Sequence, residues 1–220
     1  MNHPDNKNHK MNIQFFELDT LKKELEGLPG FHRVAFAAAC CERMLPNYSA
    51  FCRTTINWGA PEVPRAALDE VWQILQGKPV DTERINQLRE DCGREDVFPG
   101  DLDFGDDCLE TQEALMAIRA TLVACLDPTV ENIVHIANSA RHTIEAYIPY
   151  KDTSFNLNLE KDGKEKFYSA MASHPFAVRE MAKEAEDLQR LKETETLNID
   201  FLEWLRTSSH NNGKSLIDLS

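Results

Sequence analysis

One short run of this chain holds the side-chain types that chemistry needs. Glu42, Arg43, Asn47 and Tyr48 lie within Cys41-Glu42-Arg43-Met44-Leu45-Pro46-Asn47-Tyr48, just after the apolar stretch Val34 to Cys40. A carboxylate in such surroundings can serve as a general base, and a guanidinium or phenol beside it can hold an oxyanion. Charged groups set among apolar ones are also a mark of functional sites. The same residues have a structural use. Pro46 removes a backbone donor and collides with the carbonyl of Glu42, so the helix must kink or stop there. A charged pair beside that kink can satisfy freed carbonyls or pair with charges on the next helix. Residue types alone leave both readings open, a ligand or catalytic pocket from Glu42 to Tyr48 or a structural pair. They assign no reaction and therefore no catalytic residue.

A second set is Glu131, His135, Asn138, His142 and Glu145, whose spacings of four, three, four and three place them on one helical stripe. His135 and His142 could form one wall of a metal site in a bundle. Bundle carboxylate sites draw Glu-x-x-His pairs from separate helices, whereas only the reversed His142-x-x-Glu145 occurs here. The expectation is a solvated flank with intrahelical pairs and no metal. The acidic loop Asp101 to Asp107 misses the calcium-loop pattern, since its twelfth position is Gln112. Helix capping accounts for Asp106 and Asp107. Gly-x-Ser-x-Gly, a phosphate-cradling glycine loop, a dinucleotide fingerprint and His-Glu-x-x-His are all missing, so no cofactor is expected.

The elements that must position these residues read as helices. Leu21, Leu25 and Leu28 share one face of a short helix that opens at Asp19 or Thr20. From Gly30 to Leu45 the pattern is apolar almost all round, as in a buried helix. A helical piece with Tyr48, Phe51 and Cys52 follows Pro46. A helix from about Pro64 carries Leu68, Val71, Trp72 and Leu75 inward and stops at Gly77. Asp81 caps a polar helix. Asp107 and Glu110 stand in capping-box relation ahead of the stripe Leu115, Ile118, Leu122 and Leu126. Asp127-Pro128 is a helix start, and that helix runs to Pro149. Tyr150 to Gly163 reads as a mobile loop, with a short helix from Lys164 to Ala172 after it. The last pattern runs from Phe176 to about Arg206 and slips near Thr194 to Asn198. Only Leu216 to Leu219 hints at a strand. The reading is all-α, a single-domain multihelical bundle of seven to eight helices with a kinked, buried helix near Pro46. It divides into a flexible segment 1–11, a helical domain 12–207 and a tail 208–220.

The run Phe36 to Tyr48, continued through Phe51-Cys52, resembles the core motif of the YjaG family of small bacterial proteins (DUF family 416), and so does Leu68 to Leu75 around Trp72. Looser similarity covers the Asp101 to Asp107 loop, the Ala137 to Tyr147 helix and the Ile199 to Leu219 end, and together the resemblance spans the chain from about Phe15. The chain departs from the family in its longer polar N-terminus, in the region Tyr150 to His174 and in Cys108-Leu109-Glu110-Thr111. The resemblance implies an all-helical fold and transfers no activity.

Length and charge bound the rest. A chain of 220 residues, 42 % of them hydrophobic, can bury roughly 70 % of its unfolded surface and needs no staples. The net charge of −13, from 37 acids and 24 bases, lacks the basic footprint of phosphate binding and argues against nucleic acid. It suits solubility or a basic protein partner. No segment approaches a membrane span of ~20 apolar residues. Met1 to Lys10 has no apolar core of a secretory signal. The six cysteines include no Cys-x-x-Cys pair and read as buried thiols in a reducing cytosol. The expectation is a cytoplasmic, non-enzymatic helical module that binds another protein, in one version an inhibitor or immunity-type protein for a basic partner. A small-ligand or catalytic pocket at Glu42–Tyr48 and a metal site at His135 and His142 are the alternatives. A homodimer through the long C-terminal helix stays open.

Overall fold

Every residue from Val34 to Leu45 is buried, so the helix that carries them has neighbours on all sides. The computed structural model describes residues 18–55, 58–100, 108–209 and 211–220, and that helix is its axis. Ten α-helices lie among the described residues and no strand does. They are α1 (Leu18–Glu26), α2 (Gly30–Thr54), α3 (Glu62–Leu75), α4 (Thr82–Asp91), α5 (Leu109–Leu126), α6 (Val130–Lys151), α7 (Leu159–Asp162), α8 (Lys164–Ala172), α9 (Pro175–Glu193) and α10 (Ile199–Ser208). The axial α2 packs against α3, α5, α6, α9 and α10. Its alanines and cysteines have short side chains, which lets five helices crowd one. The flexible segment 1–11 and the Asp107 capping box proposed from sequence lie outside the described residues.

The architecture is all-α, with more helices than the seven to eight expected. Part of the difference is the four-residue α7 in the stretch expected to be irregular, where the Asn158 side chain accepts from the Glu160 and Lys161 amides. Part is the last long pattern, which divides at Thr194 to Asn198 into α9 and α10. The division is fixed by a tertiary bond, since the buried His32 of α2 bonds the Thr194 carbonyl through Nε2 at 2.7 Å.

Of the two outcomes expected at Pro46, a kink or a stop, α2 does not stop but continues to Thr54. The loss of one amide is offset by packing on every side, and a neighbouring carbonyl, that of Arg43, accepts the Leu216 amide at 2.9 Å. Three other local expectations are corrected. The cap of α6 is Thr129, whose hydroxyl accepts from the Asn132 amide, and not Asp127. The same helix passes Pro149 and ends at Lys151. Leu216 to Leu219 forms turns and no strand, with the Ser215 amide donating to the Leu219 carbonyl at 2.7 Å. Ser215, Leu216 and Ile217 are buried, so the end of the chain is part of the packing around α2.

Ala177, Met181, Leu188 and Leu191 of α9 are buried within the same chain. The apolar stripe offered from sequence as a dimer face is therefore covered intramolecularly. Asp81 and Gly77 act as read: Asp81 accepts from the Glu83 and Arg84 amides, and Gly77 follows α3 at φ +101°.

Candidate functional site

The four residues Glu42, Arg43, Asn47 and Tyr48 share a helix but not a site. Successive helical residues point about 100° apart, so the adjacent Glu42 and Arg43 meet different neighbours. Glu42 faces α3 and α10. Its Oε2 accepts from Arg65 Nη1 at 2.8 Å, and its Oε1 from Arg65 Nη2 at 2.9 Å, Trp72 Nε1 at 2.7 Å and Arg206 Nε at 3.2 Å. Arg65 and Arg206 also bind Asp69, which closes a set of two carboxylates and two guanidiniums. Three of these four contacts crowd Oε1, so most of the acceptor capacity of Glu42 is engaged by its own neighbours.

Arg43 points the other way, to α9. Its Nε and Nη2 grip Glu180 in a fork at 2.8 to 2.9 Å. Nη1 reaches Asp187 at 2.9 Å and Ser209 Oγ at 3.3 Å, and Nη2 lies 3.4 Å from Cys40 Sγ. Burial works against this charge, but Glu180, Cys40 and Asp187 outweigh it and hold the guanidinium well above its ordinary proton affinity. Lys183 adds a second cation on the far oxygen of Asp187 at 2.7 Å. Glu184 completes the group: burial first, then Glu180 beside it, raises its carboxyl well above the usual range, with Arg43 opposing. Burial and Glu180 thus favour the protonated form of Glu184, beside two carboxylates, Glu180 and Asp187, that face two cations, Arg43 and Lys183.

Tyr48 turns toward the loop after α2. Its hydroxyl accepts from the Ala60 amide at 3.1 Å, and its ring lies 6.2 Å from that of Trp58. Burial raises its phenol above the ordinary range. Gly59 makes this contact feasible: it sits at φ +93°, and a Cβ there would come within 2.3 Å of Cys52 Sγ. Asn47 is buried, and neither of its amide atoms has a hydrogen-bond partner.

Among the described residues one cluster has metal-ligand geometry. Cys40, Glu180 and Glu184 are buried and bring their ligand atoms within 4.8 Å of one another. The donor set does not suit a divalent ion, because the Arg43 guanidinium already lies against both the sulfur and Glu180 and would repel it. The histidines named from sequence fall elsewhere. His142 bonds Asn138 at 3.0 Å and lies 3.4 Å from Glu113, while Glu131 pairs with Lys22, Glu145 pairs with Arg141 and His135 is exposed. The metal-ligand cluster includes neither histidine.

Sequence reasoning missed the partners Arg65, Arg206, Glu180, Glu184 and Asp187. The last three carried a signal. They fall at i, i+4 and i+7 beside Met181 and Leu188, which sets three acids on the apolar stripe of α9. Of the four residues first singled out, Glu42 lines an open concavity, a cleft of about 550 Å³ with Ser49, Arg53 and Arg65 in its walls.

With that geometry in view, the comparisons are consistent with one another. The model of the DUF416 family, described as a protein of unknown function, matches residues 20–220. The uncharacterised protein YjaG of Escherichia coli K12 is 27 % identical over 89 % of this chain and 93 % of its own length. Its Salmonella typhimurium counterpart is 26 % identical over 89 % and 94 %. The crystal structure of a DUF416 family protein from Shewanella baltica OS155 aligns with a TM-score of 0.77 at 26 % identity, covering 90 % of this chain and 97 % of that one.

Proposed function

The chain belongs to the DUF416 family, and we propose that it is a non-enzymatic binding module for a protein partner that is basic where it docks. One observation carries this reading. A groove of about 620 Å³ between the start of α2 and the end of α5 is lined by Pro29, Phe31, Leu126, Pro128 and Leu197, with Glu195 at its edge. Phe31 and Leu126 are 49 % and 40 % exposed there, and Asp127 is exposed between Leu126 and Pro128. Exposed large apolar side chains rimmed by charge have the form of a docking site. Glu195 and Asp127, on a chain of net charge −13 and with Arg33 held on the Leu28 and Pro128 carbonyls, favour a segment that combines apolar anchors with lysine or arginine. The residues best suited to catalysis are meanwhile committed to one another, as Glu42 is to Arg65, Arg206 and Trp72.

The test places a photo-crosslinking residue at Phe31 in the full chain and identifies adducts in cells. A basic protein as adduct, lost in Leu126→Glu and no longer formed when a lysate is irradiated near 1 M salt, where the screening length falls to about 3 Å, is the expected result. Adducts that persist in Leu126→Glu would overturn the reading.

A second reading rests on the cleft beside Glu42, where Ser49 and the exposed Arg53 could hold a small anion. A small molecule retained in a native mass spectrum and lost in Arg53→Ala would favour it over the first.

A further inference from the structure

We propose that the surface around α7 and the start of α8 is a two-fold self-association site whose occupant is a second copy of this chain. The proposal is independent of the Phe31 groove. Its origin is the sequence Glu160-Lys161-Asp162-Gly163-Lys164-Glu165-Lys166, in which charge changes sign about Gly163. Glu160 mirrors Lys166, Lys161 mirrors Glu165, and Asp162 mirrors Lys164. In a two-fold interface residue i of one copy meets residue j of the other while j meets i. A two-fold axis through Gly163 therefore sets an opposite charge against every charge in the run, twice over.

The structure presents this run to solvent. Glu160, Lys161, Lys164, Glu165 and Lys166 are exposed, and Asp162 is half-buried. Gly163 turns the chain between α7 and α8 at φ +85°, with nothing within 4 Å of where its Cβ would stand. The axis position is thus open to close approach. Within one chain Lys166 bonds Asp162 at 2.9 Å and the Lys164 ammonium lies 6.0 Å from the Tyr168 ring centre. Both are surface contacts that a facing copy can share or exchange.

Charge alone gives register, and apolar area must supply adhesion. It is present at the same place. Tyr150, Leu159 and Tyr168 are 86 %, 43 % and 42 % exposed, and all three line one groove of about 390 Å³ with Phe167 and Met171 at its base. Net charge supports a like partner at this face. Between Arg141 and Ala172 five bases balance five acids, so this part of the chain is neutral within a molecule of −13. Two copies meet here without the repulsion that the rest of their surfaces would impose.

The experiment is sedimentation of the full chain over a concentration series at low salt, with two charge variants. Lys161→Glu/Lys166→Glu makes two of the three mirrored positions acid against acid. Glu160→Lys/Glu165→Lys makes the same two base against base. Neither substitutes Asp162, which accepts the Asn158 amide at the start of α7 and loses only its surface pair with Lys166 in the first variant. The native chain is expected to reach twice its 25.1 kDa mass. Each variant alone should associate at least about tenfold more weakly, as expected for several exposed pairs turned from attraction to repulsion. An equimolar mixture of the two should recover the native affinity as a heterodimer. Circular dichroism and thermal melting confirm that each variant is folded. A native chain that stays monomeric throughout overturns the proposal. So does association that the variants leave unchanged, or a mixture that fails to pair.

Discussion

Arg43 on α2 and Glu180 on α9, 137 residues apart in sequence, meet through three hydrogen bonds of 2.8 to 2.9 Å with both side chains buried. A buried pair adds little to stability against an apolar substitute, but breaking one side is costly because the other charge stays behind. Arg43→Met strands Glu180, leaves Asp187 with Lys183 alone, and is expected to cost about 3–5 kcal/mol in urea unfolding. At about 2–4 °C per kcal/mol for a chain of this size, the melting temperature should fall by roughly 10 °C. Arg43→Lys should recover only part of that, since a single ammonium cannot make the fork to Glu180 while also reaching Asp187. A loss below about 1 kcal/mol for Arg43→Met, the ordinary range for a point substitution, would refute the cross-link.

The same cluster makes stability depend on pH, with a definite sign. Glu184 holds its proton more tightly folded than unfolded, chiefly through burial, and Asp187 is raised by the same cause. The native state therefore binds more protons than the unfolded state above the unfolded carboxylate range, and stability falls as pH rises. The contribution is fully present below the unfolded pKa values, about 4, and is lost upward from there. Glu184→Gln keeps a donor toward Glu180 but cannot ionise. Its unfolding free energy should exceed that of the native chain at pH 8, and the gap should close toward pH 4. A gap of constant size would mean that Glu184 does not titrate in the folded chain.

Glu42 predicts a different outcome, because its partners reach water. Arg65 and Arg206 have side chains about one-third exposed, so removing the carboxylate leaves them solvated rather than stranded. Trp72 is buried and loses the acceptor of its indole N–H. Glu42→Leu should then cost about 1–3 kcal/mol, the penalty of one unsatisfied buried donor, which is less than Arg43→Met. Trp72 emission should shift when the 2.7 Å contact is lost. Equal losses for the two variants would show that the difference in partner exposure is immaterial.

How much of this was legible follows from the range of each force. Helices written by local periodicity and punctuation, such as α3 with Gly77 after it and α4 under Asp81, could be read directly. The choice between a kink and a stop at Pro46 could not, because the packing that carries α2 through it comes from five helices distant in sequence. Glu42 and Arg43 stood out as charges in a core, but their adjacency suggested one site where helical geometry makes two. Apart from Cys40, their partners lie 23 to 166 residues away, and only the acids on the apolar stripe of α9 gave any warning. The tail was misread for the same reason: Leu216 bonds a carbonyl of α2 whose availability local sequence does not reveal.

That tail carries the next prediction. Leu216 and Ile217 are 2 % and 1 % exposed, and Arg179 donates to the Leu216 carbonyl at 2.7 Å. Leu216→Ala should destabilise by about 2–5 kcal/mol, as for other buried leucines. Leu219→Ala, at a partly buried neighbour, should cost less. Two equal and small effects in chemical denaturation would show that the tail is not anchored.

Thiol chemistry gives the last prediction and a direct check on the core. Five of the six cysteines are buried, and burial pushes the Cys41 and Cys125 thiols up to about 12 and Cys92 to about 11. A thiolate is the reactive form, so these groups are doubly protected, by access and by proton affinity. Cys52 is half-buried in the last turns of α2, and its thiol is raised by burial with Tyr48 opposing. A disulfide reagent at pH 8 should therefore label one thiol of the folded chain ahead of the rest. Cys52→Ser should abolish that phase, and the other five should react only at the rate at which the structure opens. Two or more thiols reacting at once in the native chain would mean that the packing around α2 is looser than its unbroken burial requires.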